Sequence, residues 1–124
     1  MREIDLTKQQ INPIDEVLMD KDKDGWYLNF LFETWFDVDA YFGTNTKEND
    51  DVWVNFYVNW YDKTDDLKAF YEVNSDNGTI PYMQTTWDLT EEEKKFLRPK
   101  MEKYIGSSFK DYCMTDDDYK IENQ

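Results

Sequence analysis

The 124 residues carry 28 Asp and Glu against 14 Lys and Arg, for a formal net charge of -14. A chain of this length suits one domain, 1–124, able to bury a core, and with 40% hydrophobic and 18% aromatic residues its charge does not come with the apolar poverty of a disordered chain. The charge repels nucleic acid and anionic lipid, excluding both as direct partners, and favours metal cations, basic proteins and the positive grooves of nucleic-acid-binding proteins.

The N-terminal Met1-Arg2-Glu3-Ile4-Asp5 lacks a basic-then-apolar signal pattern, and no apolar run approaches the roughly 18 residues that span a bilayer. A cytoplasmic protein is expected, and a single cysteine, Cys113, fits a reducing compartment. Asn12-Pro13-Ile14-Asp15-Glu16 combines a capping residue, a first-turn proline and early acids, which predicts a short helix over about 13–19. The charged loop Asp20-Lys21-Asp22-Lys23-Asp24-Gly25 then opens onto a strand over about 26–37, with Trp26, Leu28, Phe30, Phe32 and Phe36 on one face.

Residues 43–51 read as a solvated connection between antiparallel strands. Val52, Val54, Phe56, Val58 and Trp60 then alternate with Trp53, Asn55, Tyr57, Asn59 and Tyr61, the clearest period-two pattern in the chain. One face of this strand is apolar. The other, with its tyrosines, tryptophan and asparagines, is able to bind something or to be half covered by a helix. Asp62-Lys63-Thr64-Asp65-Asp66 is an acidic turn before a strand at Leu67 to Val73, and Ser75-Asp76-Asn77-Gly78 signals a hairpin into a strand over about 80–87.

Thr90-Glu91-Glu92-Glu93 is a capping box that predicts a helix over about 91–105, kinked or split by Pro99. Ser107 can cap a last short helix, followed by a mobile acidic tail from about 115. The expected fold class is α+β: an antiparallel sheet of about four strands with a short N-terminal helix and one or two C-terminal helices.

Asp20-x-Asp22-x-Asp24-Gly25 matches the opening of an EF-hand calcium loop, where alternate carboxylates converge on the ion. The match stops there, because the ninth and twelfth loop positions are Leu28 and Leu31 and a strand follows the glycine, so a solvated acidic turn competes with a metal site at Asp20, Asp22 and Asp24. With no histidine in the chain, the usual general base, metal ligand and triad member are missing, and Cys113 has no activating partner. Glu33 is a candidate acid or base only if a second carboxylate faces it; the simpler reading is a solvent-facing strand residue. No cofactor motif is present, and a non-enzymatic protein is expected.

Acid clusters recur at almost every connection: Glu48, Asp50 and Asp51; Asp62, Asp65 and Asp66; Glu91 to Glu93; Asp116 to Asp118. Carboxylates spaced on a rigid scaffold can occupy a cleft built for phosphates. A short, histidine-free, acidic and aromatic-rich α+β chain with clusters such as Asp62-x-x-Asp65-Asp66 and Asp116-Asp117-Asp118 resembles the small inhibitors made by phages and mobile elements, the anti-CRISPR and anti-restriction proteins. The resemblance lies in composition and implies an inhibitor that blocks the guide, target or PAM channel of a nuclease.

The expected function is therefore inhibition of a CRISPR effector or other nuclease by a DNA-mimicking surface. Glu48, Asp50, Asp51, Asp62, Asp65 and Asp66 would meet basic residues, with Trp53, Tyr57 and Tyr61 as anchors. An immunity protein against a basic toxin and a calcium-binding module are the alternatives, and a homodimer burying Trp53 and Tyr57 is compatible with the pattern.

Overall fold

Residues 6–8, 11–34, 52–76, 78 and 81–123 are described by a computed structural model. Among them, five strands form one antiparallel sheet in which neighbours in sequence are neighbours in space: β1 (Ile11–Asp22), β2 (Gly25–Thr34), β3 (Val52–Tyr61), β4 (Leu67–Ser75) and β5 (Met83–Trp87). Three helices follow, α1 (Glu91–Ile105), α2 (Phe109–Cys113) and α3 (Asp117–Asn123), and a single 3-10 turn at Leu6–Lys8 precedes the sheet. The α+β expectation holds, with five strands rather than about four.

The extra strand is β1, which lies where the sequence predicts a helix over about 13–19. A helix of that length is marginal in water, whereas an extended Ile11–Asp22 pairs along β2 and sets Ile14, Val17 and Met19 against the core through the pairings Ile14↔Phe32, Val17↔Phe30 and Met19↔Leu28. Its position at the sheet edge tolerates Pro13, and the ladder absorbs the irregularity in register shifts between Ile11 and Ile14 and between Ile14 and Glu16.

The alternation in β3 is realised as written: Val54, Phe56, Val58 and Trp60 are buried. They join Leu28, Phe30 and Phe32 of β2, Leu67, Ala69, Tyr71 and Val73 of β4, and Trp87 of β5 in one apolar layer. Leu97 and Met101 of α1, Cys113 of α2 and Tyr119 of α3 pack on that layer. Edge-to-face contacts of Phe56 with Phe32 (6.1 Å) and Trp87 (5.8 Å) run across its centre.

The capping box is present in full, with Glu93 N donating to Thr90 Oγ1 (3.1 Å) and Thr90 N to Glu93 Oε1 (2.9 Å). Glu93 does more than cap. Only 1% exposed, it accepts from Leu6 N through Oε2 (3.1 Å), tying the 3-10 turn to the start of α1. Helix α1 continues through Pro99 and ends at Gly106 in the left-handed region, φ 67°. Ser108, not Ser107, caps α2. The stretch expected as a mobile tail from about 115 is instead helical over Asp117–Asn123, docked by the buried Tyr119. Among the described residues, no helix is long and apolar enough to cross a membrane.

Candidate interaction surface

Because strand side chains alternate, the apolar residues that hold the helices leave a second set on the opposite face. From β2 these are Tyr27, Asn29 and Leu31, and from β3 Trp53, Asn55, Tyr57, Asn59 and Tyr61, paired as Tyr27↔Tyr61, Asn29↔Asn59 and Leu31↔Tyr57. From β4 come Lys68, Phe70, Glu72 and Asn74, opposite Asn59, Tyr57, Asn55 and Trp53. Gln84 and Thr86 extend the rows onto β5, and Glu16, Leu18 and Asp20 extend them onto β1. The helix side chains of the hydrophobic cluster lie with the other face.

Among the described residues no helix packs on this surface, and its side chains are held laterally. Asn29 Nδ2 donates to Asn59 Oδ1 (2.6 Å), the Tyr57 and Phe70 rings stack at 4.9 Å, and Tyr27 tilts against Tyr61 at 5.2 Å. Glu72 is its polar centre: Oε1 accepts from Asn55 Nδ2 (3.1 Å) and Tyr57 Oη (2.9 Å), and Oε2 accepts from Tyr82 Oη (2.7 Å). Partial burial raises the Glu72 carboxyl, but hydrogen bonds from Tyr82, Asn55, Tyr57 and Asn74 outweigh it and the net displacement is downward, so Glu72 is ionised at neutral pH. Burial and the neighbouring Glu72 carboxylate push the Tyr57 hydroxyl up to about 12.

Of the sequence-predicted anchors, Trp53 is 41% exposed, Tyr57 is half-buried and Tyr61 is buried. Tyr61 donates to Asp22 Oδ2 (2.8 Å), and burial followed by that bond raises its hydroxyl to about 12. All three lie on the open face. Glu48, Asp50, Asp51 and the side chain of Glu33 lie outside the described residues.

The acids of the β3–β4 turn bond to the helices while Asp65 and Asp66 stay accessible to solvent. Asp62 Oδ2 accepts from Tyr119 Oη (2.9 Å), and Asp66 Oδ1 from Lys94 Nζ (2.9 Å). Asp65 accepts from Trp60 Nε1 (2.8 Å) and Arg98 Nη1 (2.8 Å), which hold it at φ 55°, in the left-handed region that aspartate tolerates. Partial burial raises the Asp65 carboxyl, yet the Trp60 and Arg98 bonds carry it below the usual range; the Lys94 bond does the same for Asp66. These residues fasten sheet to helix. Between turn and helix lies an open cleft of about 630 Å³ lined by Thr64, Asp65, Asp66, Glu91, Lys94, Lys95, Arg98, Pro99 and Glu102, in which the Asp65–Arg98 and Asp66–Lys94 pairs neutralise each other.

Asp20, Asp22 and Asp24 belong to a β-hairpin in place of the helix-flanked loop of an EF-hand: Asp22 pairs with Gly25 across a turn at Lys23 and Asp24. They bond locally, Asp20 Oδ1 to Lys21 N (2.8 Å), Asp22 to Asp24 N (2.8 Å) and Tyr61, and Asp24 Oδ2 to Lys68 (3.7 Å). Among the described residues, no group of three or more acidic or cysteine side chains could hold a metal ion. The Cys113 thiol is buried, and burial first, then the nearby Asp62 and Asp116, raises it to about 12, so it is not a thiolate nucleophile.

The sequence reading overlooked Glu72, Phe70 and Tyr82. A period-two pattern in Lys68, Phe70, Glu72 and Asn74 was available to place the first two on the face of Tyr57. No family model, curated protein or solved structure matches the chain.

Proposed function

We propose that the chain is a binding protein that docks on a basic partner through the open face of its sheet, and that the partner is a nucleic-acid-binding enzyme, such as a nuclease, whose cationic cleft this surface occupies. The observation that carries it is a sheet face bearing Trp53, Tyr57, Glu72 and Tyr82 on which, among the described residues, no helix packs, in a chain of net charge -14. Charge draws the partner in, and the rings supply desolvated contact that slows release. The acids best placed to take part are Glu16, Asp20 and Glu72, which lie on this face, whereas Asp65 and Asp66 are paired with the cations Arg98 and Lys94 and Asp62 is bonded to Tyr119.

The test is capture of partners on the tagged protein from a bacterial lysate holding nucleases, washed at low and high salt, followed by competition of the recovered protein with DNA. A basic nuclease that elutes with salt and cannot hold DNA and this chain together supports inhibition by occupancy. Recovery of no basic protein, or simultaneous binding of DNA and this chain, sinks it.

A further inference from the structure

We infer that Glu72, with the rings of Trp53, Tyr57 and Tyr82, is a receptor for one arginine side chain of the partner. The site deepens the function proposed above and rests on it.

The molecule contains occupied versions of the same arrangement. Trp60 Nε1 donates to Asp65, and Arg98 completes the set by pairing with Asp65 (2.8 Å) while its guanidinium lies 5.0 Å from the Trp60 ring. Trp26 Nε1 donates to Glu122, and Lys21 pairs with Glu122 (2.7 Å) while lying 5.4 Å from the Trp26 ring. At the β1–β2 turn, Tyr61 donates to Asp22, and Lys68 lies 5.0 Å from the Tyr61 ring and 3.7 Å from Asp24. In the first two, an aromatic hydrogen bond aims the carboxylate with which the cation pairs; at the turn, the cation over the Tyr61 ring pairs with Asp24, beside the Asp22 that Tyr61 bonds.

At Glu72 the aromatic donors and the carboxylate are in place, and the cation is not. Its donors, Asn55, Asn74, Tyr57 and Tyr82, are all neutral, and among the described residues no lysine or arginine pairs with it. The pairings Asn55↔Glu72 and Trp53↔Asn74 put Trp53 diagonal to Glu72, at a Cα separation of about 7–8 Å that a tryptophan side chain spans. Tyr82, 59% exposed, is the donor on the solvent side and the one an incoming group can displace.

An ionised, half-buried carboxylate bonded only to neutral donors is a standing attraction for a cation. Guanidinium suits it better than ammonium. It is planar, weakly hydrated and stacks on rings, so it can take the Oε2 bond from Tyr82 and lie against Trp53 in the same pose.

The test uses the full-length protein and labelled nonapeptides of arginine, lysine and citrulline at low salt. Wild type should bind the arginine peptide about tenfold more tightly than the citrulline one, and Glu72→Gln, folded at the assay temperature although somewhat less stable, should lose most of that margin. Trp53→Leu, at an exposed position, should weaken arginine more than lysine, and the Trp53 indole NMR signal should move on titration of wild type. No preference of wild type for arginine over citrulline overturns the basic-partner function itself. A preference that survives intact in Glu72→Gln leaves that function standing and overturns the receptor. Equal affinity for the arginine and lysine peptides overturns the choice of guanidinium. Were Glu72→Gln to unfold, an undiminished arginine preference in Trp53→Leu, with an unmoved indole signal, would be the overturning result.

Discussion

The two faces of the sheet are made from the same strands and stabilised by different physics. On the helix side, Phe30, Phe56, Val58 and Val73 are removed from water, and burial of such side chains contributes roughly 1.5–3 kcal/mol each. On the open side, Asn29, Asn55, Tyr57 and Glu72 stay partly wet and are held by hydrogen bonds to one another, each worth about 0.5–1.5 kcal/mol net. A face can thus be ordered without being core, and that is the condition for offering a fixed pattern of polar groups to a partner.

The difference is broken most directly by truncating adjacent residues of β3. Phe56→Ala should cost about 3–5 kcal/mol in urea unfolding and Tyr57→Ala about 1–2 kcal/mol. Equal losses would mean that the open face is packed like the interior. Next in size is Glu93→Ala, which leaves the backbone N–H groups of Thr90 and Leu6 without their carboxylate; about 2–3 kcal/mol is expected, with amide exchange at Leu6 rising most. Tyr119→Phe removes only the hydroxyl that meets Asp62 and should cost about 1 kcal/mol by thermal unfolding.

The strands were legible where a single period runs uninterrupted, as in Val52 to Tyr61, and the capping box fixed the start of α1. At Asn12 to Glu16, local signals named a helix N-terminus, and cross-strand partners on β2, distant in sequence, overrode them. The site was half legible. Trp53 and Tyr57 stand out by alternation, whereas Asp65 and Asp66 drew attention as a cluster although Arg98 and Lys94, some thirty residues on, consume their charge. Glu72 is an isolated acid in an apolar stretch, and only its neighbours on β3 and Tyr82 give it meaning.

Acid sharpens the comparison further. The Glu72 carboxyl titrates below its ordinary value of 4.5 in the folded chain, so its contribution to stability is present above that value and is lost as pH falls through the folded pKa. Glu72→Gln should therefore flatten the loss of stability between about pH 5 and pH 3, followed by urea unfolding at each pH. Some slope should persist from Asp65 and Asp66, whose carboxyls are also lowered. An unchanged slope would mean that the Glu72 hydrogen bonds do not favour its charged form. The smallest effect is expected at Leu18, 56% exposed on the open face of β1, where Leu18→Ser should change stability by no more than about 0.5 kcal/mol.

The strand order β1-β2-β3-β4-β5 also bears on how the chain reaches this state. Every ladder joins consecutive strands, so each hairpin can zip from its own connection, and the loop-closure entropy met at each step is small. The long-range closures join sheet and N-terminal turn to the helices: Lys21 and Trp26 to Glu122, 101 and 96 residues apart, and Leu6 to Glu93, 87 apart, the last through a carboxylate already fixed by its own helix cap. A chain so ordered can build its sheet from nearest neighbours, leaving the long loops to be closed by the contacts that bring the helices onto it.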